Sequence, residues 1–149
     1  MKHNTKDKDK VLKWINEQFS FFQFDSDPVY KTTLYFKLDN PEYDPEIEVY
    51  VRKTTEEMEF GFEATQWDGY MPAPYPSIYP KYSTPLDSLR SLEEEEMKEK
   101  ILELLMKTIN SRKRQYRKCQ FCGKRVAAEH RFDKSTCHRC ASEHFGIVY

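Results

Sequence analysis

Hydrophobic residues near the start of the chain recur at helical spacing. They are Val11, Leu12, Trp14, Ile15 and Phe19. This pattern predicts an amphipathic helix over residues 8–20, with its apolar side against a core. The segment at the start, residues 1–10, is polar and rich in Lys and Asp, and we expect it to be a flexible leader.

Three later segments alternate apolar and polar side chains with the period of a β-strand: residues 29–38, 47–53 and 58–64. In the last of them, Met58, Phe60 and Phe62 alternate with acidic side chains and a glycine. One apolar and one polar face per strand predicts an antiparallel three-stranded sheet with one solvated face. Turn-forming residues between the segments suit hairpin connections.

A long segment rich in proline and tyrosine, residues 67–85, follows the predicted sheet. Five of the eight prolines of the chain lie in it. Because proline disrupts regular strand ladders, this composition predicts a long, stiff loop. Long loops often have a function, so the candidate partner-binding residues are Trp67, Tyr70, Tyr75, Tyr79 and Tyr82. Alternatively, the loop packs across the open edge of the sheet through its own aromatic side chains.

The hydrophobic pattern then returns to helical spacing, with an apolar stripe that extends from Leu92 to Ile109. The stripe predicts a long helix from Leu92 to about Arg117. Ser91 and Glu94 have the spacing of a capping box at its start. Together with the first helix and the sheet, this helix predicts an α+β fold class.

All four cysteines of the chain lie near its end, in two Cys-x-x-Cys pairs. Cys119 and Cys122 form the first pair, and Cys137 and Cys140 form the second. Each pair brings two thiols onto one tight turn, and two pairs supply the four soft ligands of a closed tetrahedral site. The pattern predicts one structural Zn²⁺, without an open coordination position for chemistry.

Other uses of the cysteines fit the sequence less well. The chain opens with Met-Lys-His-Asn-Thr-Lys, without an apolar targeting segment, so we expect a cytoplasmic, reducing location in which disulfides are rare. A thioredoxin-like redox pair needs an adjacent βαβ pattern, which neither pair has. Rubredoxin-like iron also takes four tetrahedral sulfur ligands and is the alternative metal.

The residues around the cysteines indicate how the site is built. Gly123 permits a tight turn after the first pair. Residues 124–133 alternate as in a short hairpin, and residues 141–145 can form a helix after the second pair. This order resembles a treble-clef zinc finger, in which the first turn of a helix carries the second ligand pair. A zinc ribbon, with both pairs on hairpin turns, is the alternative resemblance.

Charge is distributed unevenly along the chain. Residues 111–149 contain ten Lys and Arg against three Asp and Glu, whereas the whole chain has a net charge of −1. Cations interleaved with aromatic rings suit phosphates and bases. The candidate nucleic-acid-binding residues are therefore Arg112, Lys113, Arg114, Arg117, Lys118, Lys124, Arg125, Arg131 and Arg139. Alternatively, cations at this position only complement the C-terminal end of the long helix.

Enzyme motifs are missing from the sequence. The chain has four glycines, and none lies in a phosphate-binding loop; there is no nucleophile elbow and no zinc-protease helix. We therefore expect no enzyme. The exception kept open is a nuclease-like carboxylate site on the sheet, formed by Glu48, Glu57, Glu59 and Glu63.

These patterns predict three parts: the leader (1–10), an α+β domain that ends in the long helix (11–110), and a basic helix end with a four-cysteine zinc finger (111–149). The favoured hypothesis is a non-enzymatic nucleic-acid-binding protein that uses the basic region. The alternative is a protein-interaction module, an adaptor or an inhibitor, that binds through the acidic sheet face or the Pro/Tyr-rich loop. No apolar run is long enough to span a membrane, and no small-molecule substrate is predicted.

Overall fold

The computed structural model of the chain describes residues 5–22, 33–54, 56–64, 67–68, 71–72 and 77–148. The helices are α1 (Thr5–Glu17), α2 (Phe19–Phe22), α3 (Leu86–Arg90), α4 (Glu94–Lys113) and α5 (His138–Phe145). The strands are β1 (Thr33–Lys37), β2 (Tyr43–Asp44), β3 (Glu48–Lys53), β4 (Glu57–Ala64), β5 (Trp67–Asp68), β6 (Met71–Pro72), β7 (Ser77–Pro85), β8 (Tyr116–Lys118), β9 (Arg125–Ala127), β10 (Arg131–Asp133) and β11 (Thr136–Cys137). The mixture of helices with antiparallel sheets confirms the predicted fold class at this level.

Four strands form the main sheet, in the order β1-β3-β4-β7, and all neighbours are antiparallel. β1, β3 and β4 lie within the three segments that alternate in the sequence. Opposite residues across the sheet include Leu34 with Val51 and Val51 with Phe60. These side chains are buried, so the alternation marks a covered face, as predicted. The other face was predicted to be solvated, but it is covered in part, since Tyr50 and Glu59 on it are also buried.

Helices α1 and α4 pack against each other and cover this apolar face. Val11 and Ile15 of α1, and Ile101 and Leu105 of α4, are fully buried in the same cluster as the strand residues. The Trp14 ring meets the Phe36 ring edge-on, with centroids 5.4 Å apart. Burial of each fully buried aliphatic side chain in this cluster stabilises the fold by roughly 1.5–3 kcal/mol. The cluster is therefore the main apolar core.

The ends of the two long helices differ from prediction. α1 begins at Thr5, inside the segment expected to be a flexible leader, and the buried Asp7 accepts a hydrogen bond from Lys113. α4 ends at Lys113 and does not continue to Arg117, because the chain turns there and enters β8. The capping box prediction was wrong: the N-cap of α4 is Glu93, without a side-chain hydrogen bond.

The Pro/Tyr-rich segment is not a loop throughout. Its part Ser77–Pro85 is strand β7, which pairs along β4 at the edge of the main sheet. An edge strand tolerates proline, since its outward N–H positions need no partner strand. Strand pairing explains why Gly61 is suited to β4, because a Cβ there would lie 2.4 Å from the Tyr79 carbonyl oxygen. The alternative prediction, that this segment packs across the open edge of the sheet, is closer to the observed position of β7.

Candidate metal centre and the surface around it

The last part of the chain, residues 116–148, carries the cysteines and is called here the four-cysteine finger. Strands β8 and β9 form an antiparallel hairpin, and the first pair lies in its turn. Cys119 N–H donates to the Lys124 carbonyl (2.8 Å), and Gly123 N–H donates to the Cys119 carbonyl (3.0 Å). Gly123 has φ +74°, which glycine adopts without strain. The sequence thus forms a tight turn that presents both thiols.

The second pair spans the start of α5. Cys137 ends β11 and is the N-cap of the helix, where its sulfur accepts a hydrogen bond from the Cys140 N–H (3.5 Å). Cys140 follows in the first helical turn. β10 and β11 form their own hairpin upstream. The single hairpin predicted over residues 124–133 was therefore wrong: β9 pairs with β8 and β2, and β10 pairs with β11.

The four sulfurs converge on one point. All four lie within 4.8 Å of one another, no disulfide joins them, and the sulfurs of Cys122 and Cys137 are 3.9 Å apart. A tetrahedron with metal–sulfur bonds of about 2.3 Å has sulfurs about 3.8 Å apart. Cys119, Cys137 and Cys140 are buried. This arrangement can hold one metal ion, and the predicted ligand residues are the ones brought together.

Local hydrogen bonds prepare one of the thiols for a metal. Burial acts to raise the pKa of the Cys119 thiol, but the backbone N–H groups of Cys122 and Cys137 outweigh it and lower this pKa to about 6. Burial raises the pKa of Cys140 to about 12, and hydrogen bonds with the other sulfurs add to the rise. Since a metal binds thiolates, its binding must displace protons from this site.

Two of the predicted nucleic-acid-binding cations are engaged inside the protein. Arg112 is 3% exposed, and its guanidinium makes a two-pronged pair with Glu129, at 2.6 and 3.2 Å. Its Cζ atom also lies 5.0 Å from the centre of the Phe62 ring. Lys113 binds the buried Asp7. These two side chains connect α4 to the finger and to α1, which leaves them poorly placed to contact phosphates.

The other predicted cations lie around the cysteines. Arg131 is half-buried and donates to the Gln115 carbonyl (3.2 Å). Arg125 is exposed and pairs with Glu42 (3.3 Å), a surface ion pair of the kind that contributes little stability. The exposed cations, with Lys134 added by the structure, are called here the basic surface: Arg114, Arg117, Lys118, Lys124, Arg125, Lys134 and Arg139. Within the described residues, Arg125 is the one of these that pairs with a carboxylate, and Arg139 hydrogen-bonds the Cys122 side chain.

Exposed aromatic rings lie on the same finger as the basic surface. Phe121, Phe132 and Phe145 are 42%, 45% and 49% exposed. The Phe121 ring stacks on His144, with centroids 4.0 Å apart and planes within 11°. Phe145 joins Phe121 (5.7 Å) to Phe132 (6.0 Å). We call these four side chains the aromatic strip. In the sequence, the strip is indicated by aromatic residues that lie close to each cysteine pair.

The candidate partner-binding residues are only partly described. Tyr79 and Tyr82 lie on β7, half-buried against the main core, and the Tyr79 ring is 5.7 Å from the Phe62 ring. Trp67 belongs to β5, which pairs with β6. Tyr70 and Tyr75 lie outside the described residues. The described tyrosines thus help to cover the sheet edge.

The four candidate carboxylates on the sheet do not form one group: Glu48 and Glu63 line a common cleft, whereas Glu57 and Glu59 do not line it. Glu59 is buried and bound by the Tyr50 hydroxyl (2.7 Å) and the Arg52 guanidinium (2.7 Å). Glu63 accepts from the Tyr35 hydroxyl (3.2 Å). In the described ranges, the cysteine cluster is the group of His, Cys, Asp or Glu side chains close enough to hold a metal. Glu48 is exposed on β3 and shares the cleft with Glu63, and Glu57 is half-buried at the start of β4.

Comparisons with protein families, with curated proteins and with solved structures find no match to this chain. Within the described residues, no helix is both long enough and apolar enough to cross a membrane.

Proposed function

We propose that this protein binds one structural Zn²⁺ through its four cysteines and uses the basic surface of the finger to bind nucleic acid, without enzymatic activity. Four thiolates fill a tetrahedral zinc site and leave no position for substrate. The order of elements also supports a treble-clef finger, because the second cysteine pair enters a helix and not a hairpin turn. Reduced cysteines suit a cytoplasmic location.

The observation that carries the nucleic-acid proposal is the cluster of exposed cations on the elements that hold the cysteines. Lys118 directly precedes Cys119, and Lys124 follows Gly123 on the other side of the same turn. Arg139 lies between the two cysteines of the second pair. Closely spaced cations without internal carboxylate partners attract a polyanion, and each phosphate that they neutralise releases counterions. Since Arg112 and Lys113 are used internally, the proposed surface omits them.

Fluorescence anisotropy with labelled oligonucleotides and the zinc-loaded protein tests the proposal. Binding should weaken steeply with salt, with a slope of about 0.9 per phosphate contact on duplex DNA or about 0.7 on a single strand. The double variant Lys118→Glu, Lys124→Glu should bind at least tenfold more weakly. Its matched control, Lys13→Glu with Lys37→Glu, makes the same charge change on exposed residues of α1 and β1. Absence of binding at low salt, or equal loss in both double variants, would refute the basic surface.

A second candidate function is supported by one observation on the sheet. A cleft of about 260 Å³ lies between the sheet and the finger, lined by residues that include Tyr35, Glu46, Glu48, Glu63 and Glu129. Arg112 also lines the cleft and already pairs with Glu129, so Glu46, Glu48 and Glu63 are the carboxylates that, with the tyrosines, suit a cationic side chain of a protein partner. Under this alternative the zinc is scaffolding. Glu48→Lys should then abolish capture of a basic peptide and leave oligonucleotide binding unchanged.

A further inference from the structure

The aromatic strip has no covering element among the described residues. The buried cluster of the finger consists of the four cysteines with Val126, and the rings of the strip are not part of it. Three phenylalanine rings nearly half exposed on one small finger are unusual, because apolar side chains of this size are normally buried. The rings contact one another in sequence, from His144 through Phe121 and Phe145 to Phe132. The strip therefore offers contiguous exposed aromatic surface to a ligand, with the Phe121 and His144 rings nearly parallel and the Phe145 ring inclined by 74° to Phe121.

Cations of the basic surface border the strip. Arg139 lines a shallow depression of about 230 Å³ together with Phe121 and His144. Lys134 is two residues from Phe132 in the turn between β10 and β11. Lys118 lies across the turn that carries Phe121, with its Cε atom 3.9 Å from the position of a Cβ on Gly123. The ligand that fits both features has flat apolar faces and a negatively charged backbone.

We infer that the aromatic strip is a base-stacking site for single-stranded nucleic acid, with the bordering cations on its phosphates. Bases of a single strand expose their faces for stacking on aromatic side chains, whereas a duplex has its faces occupied by neighbouring bases. Glu143 lines the same depression; its carboxylate repels phosphate but can accept a hydrogen bond from an N–H group on the edge of a base. This inference rests on the proposed function and adds the substrate class.

Three probes with matched charge separate stacking from electrostatics: labelled oligo(dT), an abasic strand of equal length, and a hairpin duplex. The zinc-loaded wild type should bind oligo(dT) at least tenfold more tightly than the abasic strand, because each stacked base contributes roughly fivefold to a hundredfold in affinity. The duplex should bind about as weakly as the abasic strand. Equal affinity for oligo(dT) and the abasic strand would overturn the stacking site.

Variants of the strip test the same inference at residue level. Phe121→Ala with Phe145→Ala should weaken oligo(dT) binding at least tenfold and leave abasic-strand binding unchanged, with zinc content measured in parallel. Tyr35→Ala is the matched control, since it removes a ring that is also 49% exposed but lies on β1. An unchanged oligo(dT) affinity in the double variant would overturn the inference.

Phe121→Trp keeps a ring at the centre of the strip and serves as the conservative variant. It should retain oligo(dT) affinity, and its fluorescence should be quenched by oligo(dT) more than that of the wild type and not by the abasic strand. This readout decides the matter if the double alanine variant loses zinc. If only the stacking inference is wrong, Lys118→Glu, Lys124→Glu should still weaken the binding of both oligo(dT) and the abasic strand. If the proposed function is wrong, none of the three probes should bind.

Discussion

The main sheet with its helices and the four-cysteine finger are stabilised by different means. The sheet and α1 and α4 enclose large apolar side chains such as Phe60, Phe62 and Leu105, all fully buried. The finger encloses its cysteines and Val126, contributes Tyr116 and Ala127 to the main core, and leaves its three phenylalanine rings exposed. A region with so small an apolar cluster needs another source of stability, which metal coordination supplies in small domains.

The two regions also use charge differently. On the sheet and along α4, charged groups bind other parts of the chain: Arg52 pairs with Glu59, and Lys113 pairs with Asp7. On the finger, exposed cations such as Lys118 and Lys124 have no ion pair within the described residues. The difference shows that a cation at the end of α4 can belong to the scaffold, whereas Lys118 and Lys124, which flank the first cysteine pair, are exposed and available to a ligand.

The largest expected effect comes from removing the metal ligands. Cys119→Ser with Cys140→Ser should abolish metal binding and unfold the finger, because zinc supplies roughly 10–16 kcal/mol in small zinc fingers. The main sheet should remain folded. Metal content and hydrogen exchange measure both outcomes, and Ser142→Ala, an exposed change on α5, is the control. Stoichiometric zinc in the double serine variant would contradict the assigned ligands.

The connection between the regions should show the next largest effect. Arg112→Met leaves the carboxylate of Glu129 without its buried guanidinium partner, which should lower the free energy of unfolding by about 3–5 kcal/mol. Urea unfolding measures this loss. The double variant Arg112→Met, Glu129→Met removes both charges and should recover most of the stability. A double variant no more stable than Arg112→Met would show that the unpaired charge is not the cause.

A substitution on the main sheet should separate its stability from that of the metal site. In Gly61→Ala the new Cβ would lie 2.4 Å from the backbone oxygen of Tyr79, and the two strands must move apart. The free energy of unfolding should fall by about 1–3 kcal/mol, while zinc affinity stays unchanged. Denaturant unfolding and a competitive zinc titration measure the two quantities. A parallel loss of zinc affinity would mean that the two regions are not stabilised independently.

The smallest effect is expected where the finger hydrogen-bonds to the segment before β3. The Tyr116 hydroxyl donates to the Pro45 carbonyl, and Tyr116→Phe removes this donor while it keeps the ring against Tyr43 (5.1 Å). The loss should be about 1 kcal/mol. A urea titration detects a change of this size, and Tyr35→Phe is the comparison because its hydroxyl is exposed and bound to Glu63. Equal losses in both variants would argue against a special role for this contact.

Local patterns predicted the elements whose signal is local. Helical spacing identified α1 and α4, and alternation identified β1, β3 and β4, because one buried face imposes a period on the side chains. The loop prediction for Ser77–Pro85 failed since proline propensity was judged without knowing that this segment lies at a sheet edge. The hairpin predicted around residues 124–133 failed because β9 pairs with β8 and with the distant β2. A local sequence pattern does not indicate where in the chain a distant partner strand lies.

The sequence by itself determined the candidate metal site, because two Cys-x-x-Cys pairs indicate a four-sulfur cluster through short-range spacing alone. Only the tertiary structure decided which of the basic residues are available to a ligand. Arg112 and Lys118 look alike in the sequence, yet folding brings Glu129 to the first and leaves the second exposed. The physical reason is that the fate of a charge depends on which carboxylate the fold brings within a few ångströms of it.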